Sequence, residues 1–197
     1  MTGLLIVFEG LDQSGKETQA RQLRKWFEAS GRQVESIAFP DYASPIGQEI
    51  RTALHGGRDY GADTIQLLQI ANRHQWKPQI ETWLADGRIV ISDRYAASSI
   101  AYGEAQGLDP AWLTSTQRFL PVPATTVLLD IAPEVSAARK AHNRDSYERD
   151  LEMLSRVRAS YLRQATQSGW VVVEAARSVD LVAADVVNMI SLRHAPR

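Results

Sequence analysis

The run Gly10-Leu11-Asp12-Gln13-Ser14-Gly15-Lys16 lies between an apolar stretch, residues 4–8, and a segment with helical spacing that begins near Lys16. Few chain paths satisfy such a junction. The glycines let the backbone curl until successive N–H groups point inward at one anion. The helix that follows adds the positive end of its dipole. Lys16 supplies a mobile point charge for the outer phosphates of a polyphosphate. Spacing and context together read as a phosphate-binding loop that joins the first strand of a parallel sheet to its first helix.

The rest of the chain repeats that alternation. Short apolar runs recur at residues 4–8, 34–39, 89–92, 125–131 and 170–174. Each is rich in Val, Ile and Leu with little period-two alternation, as in strands buried on both faces of a parallel sheet. Helical spacing fills the intervals: Leu23, Trp26 and Phe27 fall at i, i+3 and i+4, and Ile65, Leu68, Asn72, Trp76, Ile80, Trp83 and Leu84 sit mostly three or four apart. Ser44-Pro45 and Asp109-Pro110 each offer a cap followed by Pro at the first helical position. Asp63 with Gln66 resembles a capping box. Pro133-Glu134 opens another helix with an acid in its first turn. Gly31, Gly87 and Gly169 stand where helices should stop before strands. With no repeat, low-complexity tract or linker, residues 1–197 are expected to form one doubly wound α/β domain.

Composition narrows the partners. Lys+Arg 22 against Asp+Glu 23 leaves a net charge of −1, which argues against a nucleic-acid footprint and leaves room for a small basic site. The absence of cysteine excludes disulfides, Cys-based zinc sites and thiol nucleophiles. His55, His74, His142 and His194 show no metal-ligand spacing. No apolar run is long enough to span a membrane, and the start lacks the basic region and cleavage site of a signal peptide. A cytoplasmic protein with no membrane or nucleic-acid partner is expected.

One position departs from the usual phosphate loop. Ser or Thr commonly follows the Lys and ligates Mg2+. Here Glu17 follows, and Thr18 comes next. A helix turns about 100° per residue, so Thr18 does not simply take over. Glu17 is a hard oxygen ligand able to hold Mg2+ directly or through water. A carboxylate beside phosphates carries a repulsive cost, so the water-mediated arrangement is expected.

The guanine-specifying Asn-Lys-x-Asp segment of GTPases is missing, as are protein-kinase motifs. Four other segments do match a pattern, in order: Phe8-Glu9-Gly10-Leu11-Asp12 with the phosphate loop, Phe39-Pro40, Ala71-Asn72-Arg73, and Asp93-Arg94-Tyr95. In this order and at these spacings the chain resembles the thymidylate kinase family over essentially its whole length. The resemblance implies the P-loop NTPase fold, a five-stranded parallel sheet flanked by helices on both faces with a small lid at 139–150. It implies phosphoryl transfer from ATP to dTMP with Mg2+. It also implies a homodimer packed through helices next to the acceptor site.

The resemblance assigns residues as well. Gly10, Leu11, Asp12, Gln13, Ser14, Gly15, Lys16, Glu17 and Thr18 would hold ATP. Arg139 matches a residue that stacks on adenine, and Ala176 falls where backbone closes the adenine pocket. Arg94 would contact the acceptor phosphate, and Asp93 would help hold the Mg2+ shell. Asp12 matches a carboxylate that contacts the dTMP sugar and orients the loop. Arg73 is similar to the arginine that reads the thymine edge, whereas the polar stripe of Gln66, Gln69 and Arg73 alone would suggest a solvated helix face. Gln69 stands where some relatives carry an aromatic stacking residue, so Phe39 becomes the expected stacking partner and Gln69 a hydrogen-bonding one. Pro40 and Leu54 would wall the acceptor pocket. Ser98, Ser99 and Tyr102 would lie beside the sugar, with Tyr102 either excluding a ribose 2′-OH or serving as a core tyrosine.

The segment 139–150 is dense in charge, which is often no more than a solvated loop. Thymidylate kinases either carry a basic residue at the position of Gln13 or place their arginines in the lid. Neutral Gln13 puts this chain with the second type. Arg144 or Arg149 is then expected to supply transition-state charge, with Arg144 favoured, and Tyr147 lies near the acceptor. Asp41-Tyr42 replaces a pair that includes an Arg in some relatives, leaving Arg51, or Arg94 alone, to compensate. The competing readings are a kinase for other deoxynucleoside monophosphates and a P-loop protein that binds nucleotides without catalysis.

Overall fold

A computed structural model describes residues 3–139 and 150–194. The elements run β1 (Leu4–Glu9), α1 (Lys16–Ala29), β2 (Val34–Ala38), α2 (Pro45–Leu54), α3 (Ala62–Ala85), β3 (Ile89–Asp93) and α4 (Ala96–Ala105). They continue α5 (Pro110–Thr116), β4 (Thr125–Asp130), α6 (Pro133–Arg139), α7 (Leu151–Ser168), β5 (Val171–Glu174) and α8 (Val179–His194). All five expected strands are present, within a residue of the sequence-based limits at either end.

The strands pair in parallel in the order β2-β3-β1-β4-β5. Successive β1 side chains enter opposite layers: Ile6 and Phe8 join one buried cluster with Leu23, Val157 and Val186, while Leu5 and Val7 join another with Ile80 and Phe39. Burial on both faces explains why the runs read as continuously apolar rather than alternating. The two edge strands are the exceptions: β5 exposes Val172, and β2 exposes Ser36 and Ala38.

Helix signals hold with one correction. Ser44 caps α2 by accepting from the Gly47 N–H, and Asp109 caps α5 by accepting from the Ala111 N–H. The capping box expected of Asp63 and Gln66 does not form. α3 starts two residues earlier, with Gly61 as its N-cap, and Asp63 Oδ1 accepts from the adjacent Thr64 N–H. Gln66 is therefore released from helix capping and turns inward, 2% exposed.

The α2–α3 corner depends on close backbone approach. A Cβ on Gly47 would stand 1.8 Å from the Asp41 carbonyl oxygen. Gly47→Ala is expected to destabilise the fold by about 3 kcal/mol, the upper end for overpacking a tight site. Urea denaturation of the two proteins checks this, through a lower midpoint at unchanged slope.

Candidate active site

The functional groups gather at the C-terminal edge of β1, β3 and β2, where doubly wound sheets leave a crevice. The phosphate loop begins at Gly10, whose φ of 140° and close approach to the Leu129 carbonyl leave no room for a side chain. Gly15, at φ 96°, is the N-cap of α1. Lys16 is buried, and its Nζ donates to the Leu11 carbonyl at 2.9 Å, so the ammonium is tucked against the loop it serves. Burial lowers its pKa, with Arg94 adding to the effect and Asp93, Asp12 and Glu9 opposing it.

The loop is braced from α6. Ser136 Oγ donates to the Asp12 carbonyl at 2.7 Å. Arg139 donates to the Gln13 carbonyl and to the Ala175 carbonyl, each at 3.0 Å. Arg139 thus joins the phosphate loop to the turn that carries Ala176.

Arg94 follows β3 in a left-handed conformation, φ 65°, that is uncommon for a side chain of this kind. That turn throws its guanidinium back across the sheet. Nη2 meets Asp12 Oδ1 at 2.6 Å, and Nη1 reaches Ser98 Oγ and the Tyr161 hydroxyl. Arg94 therefore pairs with Asp12 in the phosphate loop, not with its neighbour Asp93. Burial works to raise the Asp12 carboxyl. Arg94 and then Lys16 more than reverse this and hold it well below the usual carboxylate range. A depressed carboxyl stabilises the fold above its unfolded pKa of about 4, and that contribution is lost as pH falls through the folded value.

Beneath this pair lies Glu9, fully buried and absent from the sequence-based site. Its carboxylate accepts from the Tyr95 and Ser98 N–H groups at the start of α4, from Ser98 Oγ at 2.6 Å and from the Tyr161 hydroxyl at 3.1 Å. Burial raises its pKa against the Ser98 hydrogen bond and the charge of Arg94. Glu9 fixes the turn that aims Arg94. Tyr161, from α7, completes the network and was equally hidden, because nothing local in the sequence links it to Glu9.

Arg73 is 2% exposed, so α3 carries it inward rather than into solvent. Its Nη1 donates to Ser99 Oγ at 2.7 Å and to Gln117 Oε1 at 3.5 Å. Burial pulls its pKa down to about 10, with Glu9 the chief opposing charge. Phe39 packs on Tyr95 and stands under the Arg73 guanidinium at 6.0 Å. Asn72 holds the neighbouring turn by accepting from the Asp41 N–H and donating to Ser44 Oγ, and Asp41 accepts from the Trp76 indole. Asp41 is thus structural. Arg51 is exposed and stacks on the Tyr42 ring at 4.6 Å.

Two adjoining cavities result. One is lined by Leu54, Gln66, Gln69, Arg73, Ser98, Ser99 and Tyr102. The other follows the phosphate loop from Gln13 through Lys16, Glu17 and Thr18 to Phe39 and Asp93. Asp12, Pro40, Tyr42 and Arg94 line both. Of the residues expected at the acceptor, Asp12, Pro40, Leu54, Gln69, Arg73, Arg94, Ser98, Ser99 and Tyr102 meet in the first cavity. Phe39 instead lines the second, because its ring is taken up by Tyr95 and Arg73. Ser98 and Tyr102 also serve the scaffold: the Tyr102 hydroxyl donates to Asp12 Oδ2 at 3.2 Å. Arg144, Arg149 and Tyr147 lie outside the described residues. Tyr42 and Gln66 are the pocket residues that the sequence reading did not place at the acceptor.

Asp93 and Glu17 face the same cavity as Lys16. Among the described residues no group of three or more His, Cys, Asp or Glu could form a metal cage. Two carboxylates beside a polyphosphate cradle fit Mg2+, which keeps phosphate and water among its ligands.

A phosphate loop at the head of a parallel sheet, opening through shared walls onto a second, arginine-lined cavity, defines a P-loop nucleotide kinase. Comparison with known proteins agrees. A family profile described as Thymidylate kinase matches residues 8–186. The thymidylate kinase of Danio rerio is 34% identical over 95% of this chain and 89% of its own, and that of Arabidopsis thaliana is 35% identical over 91% and 68%. Among solved structures, the thymidylate kinase of Candida albicans, described as having broad substrate specificity, superposes with a TM-score of 0.87 at 29% identity, covering 97% of this chain and 92% of its own. The chain belongs to the thymidylate kinase family.

Proposed function

We propose that this chain transfers the γ-phosphoryl group of ATP to the 5′-phosphate of dTMP, giving ADP and dTDP. The observation that carries the reading is the common wall between the two cavities. Arg94 stands in both, where a donor and an acceptor phosphate would meet. Relatives named thymidylate kinase favour dTMP over other monophosphates and over a silent nucleotide binder.

The chemistry needs positioning and charge neutralisation more than covalent help. The acceptor phosphate is already a nucleophilic dianion, so no strong base is required. Backbone N–H groups of the phosphate loop and Lys16 hold the donor phosphates. Arg94, anchored by Asp12, draws the acceptor phosphate into line and offsets repulsion between the two anions. Arg73 fixes the base, with Gln69 beside it, and Tyr102 stands at the sugar. Arg139 and the backbone at Ala176 border the adenine side. A lid over 139–150 within the single domain closes on ATP, and Arg144 within it brings further positive charge to the transferring group.

Asp93 and Glu17 would hold Mg2+, Glu17 through water. The ion, when bound, neutralises charge on the donor phosphates. Glu17→Thr is expected to shift the Mg2+ concentration for half-maximal turnover about tenfold, the usual scale for an outer-sphere partner. An unchanged Mg2+ titration removes Glu17 from the metal site. The reading also includes a homodimer and a cytoplasmic location.

ADP release with dTMP, dUMP, dCMP and AMP tests the proposal. Turnover is expected to be fastest with dTMP. The absence of dTMP-dependent ADP release overturns it.

A further inference from the structure

Gln66 is a wall residue of the acceptor cavity, two helical turns before Arg73 on α3. It is 2% exposed and lines the cavity, yet among the described residues its carboxamide has no hydrogen-bond partner. A ligand that fills the cavity displaces water from this amide and must match its donor and acceptor, or leave them unpaired at a cost of about 1–3 kcal/mol. Its side chain is held in place by a close approach from α4: a Cβ on Gly103 would stand 3.3 Å from Gln66 Cγ and 2.6 Å from a Leu113 methyl. The packing leaves Gln66 room to lie against α4 with its amide in the cavity.

The neighbouring polar groups show what is missing. Arg73 can only donate. Ser99 Oγ already accepts from Arg73, and the Gln117 amide donates to the Ala96 and Leu113 carbonyls. Asp12 is taken by Arg94 and Tyr102. A donor-only arginine suits a base carbonyl but cannot receive the ring N–H of a pyrimidine imide. A carboxamide can accept that proton and donate to the adjacent carbonyl at once.

We infer that Gln66 is a specificity-determining residue, whose carboxamide accepts the N3–H of a 2,4-dioxopyrimidine base and donates to a flanking carbonyl. The inference rests on the acceptor reading proposed above and adds the group that distinguishes an imide from other base edges. Gln69, half-buried on the same cavity, is the natural control.

The test pairs a protein change with a ligand change. Binding of dTMP and of N3-methyl-dTMP is measured by calorimetry for the wild-type protein, Gln66→Leu, Gln66→Met and Gln69→Leu, alongside kcat and KM for dTMP. In the wild-type protein N3-methylation is expected to weaken binding about tenfold or more. In Gln66→Leu and Gln66→Met that penalty should largely disappear, while KM for dTMP rises and kcat changes little. In Gln69→Leu the penalty should persist. An equal N3-methyl penalty in the wild-type and Gln66 variants overturns the inference, as does a penalty that vanishes only in Gln69→Leu. If one Gln66 variant fails to fold, the other carries the comparison, and a wild-type protein indifferent to N3-methylation overturns the inference alone. Failure of the acceptor reading itself is distinct: wild-type protein would then neither bind nor turn over dTMP.

Discussion

Arg94→Met is expected to lower kcat/KM for dTMP about 1,000-fold, the scale seen when a transition-state arginine is lost in phosphoryl transfer. The size of the effect follows from where Arg94 stands. Among the described residues its guanidinium is the cation common to both cavities; burial works against its charge, but Asp12, with Tyr102 and Tyr161 behind it, more than reverses this and raises its pKa well above the ordinary value. Methionine removes charge and fork together, and leaves the Asp12 carboxylate without its ion-pair partner. Asp12 is then expected to lose part of its pKa depression, so the variant should also melt earlier at neutral pH, and this difference should narrow as pH falls below about 4. Arg94→Lys should recover only part of the rate. One ammonium cannot hold Asp12, Ser98 and Tyr161 and still present a planar pair of donors to a phosphate. Coupled ADP-release kinetics over a dTMP series checks the rate, and thermal melts at pH 7 and pH 3 check the pair.

Lys16→Met is expected to lower kcat about 100- to 1,000-fold, the loss that follows removal of one preorganised charge from a site of this type. The selectivity of the effect is the more telling result. Lys16 lines the phosphate-loop cavity but not the cavity that holds Arg73 and Gln69. Binding of dTMP alone should therefore change little, while ATP affinity falls. Calorimetric titration with each nucleotide separates the two. A Lys16→Met protein that loses dTMP affinity and keeps ATP affinity would reverse the assignment of the cavities.

Much of the framework was legible because its causes are local. Apolar runs with little alternation mark strands covered on both sides, and glycine at φ 140° and 96° marks the one path that brings backbone N–H groups to an anion. Ser44 and Asp109 capped the helices they were expected to cap. The misread positions involve long-range packing. Asp63 and Gln66 have capping-box spacing, but the preceding Gly61 starts the helix earlier and frees Gln66 to turn inward. The stripe of Gln66, Gln69 and Arg73 looks like a solvent face until α4 and α5 cover it and supply Ser99 and Gln117. Glu9 stood in the matched segment Phe8-Glu9-Gly10-Leu11-Asp12 without a role of its own. Its four donors come from α4 and α7, which no sequence spacing connects to it. Tyr42 reads as a departure from an arginine, and its place on both cavities comes from the turn that Asn72 and Asp41 hold.

The most direct measurement is a crystal structure of the protein with ADP and dTMP bound together. The thymine is expected against Arg73, the dTMP phosphate within hydrogen-bond reach of Arg94, and the ADP phosphates inside the loop from Gly10 to Thr18, with the two phosphate chains facing across Asp12. A dTMP phosphate lodged away from Arg94, or a thymine that leaves Arg73 without contact, contradicts the shared-wall arrangement on which the proposed transfer depends.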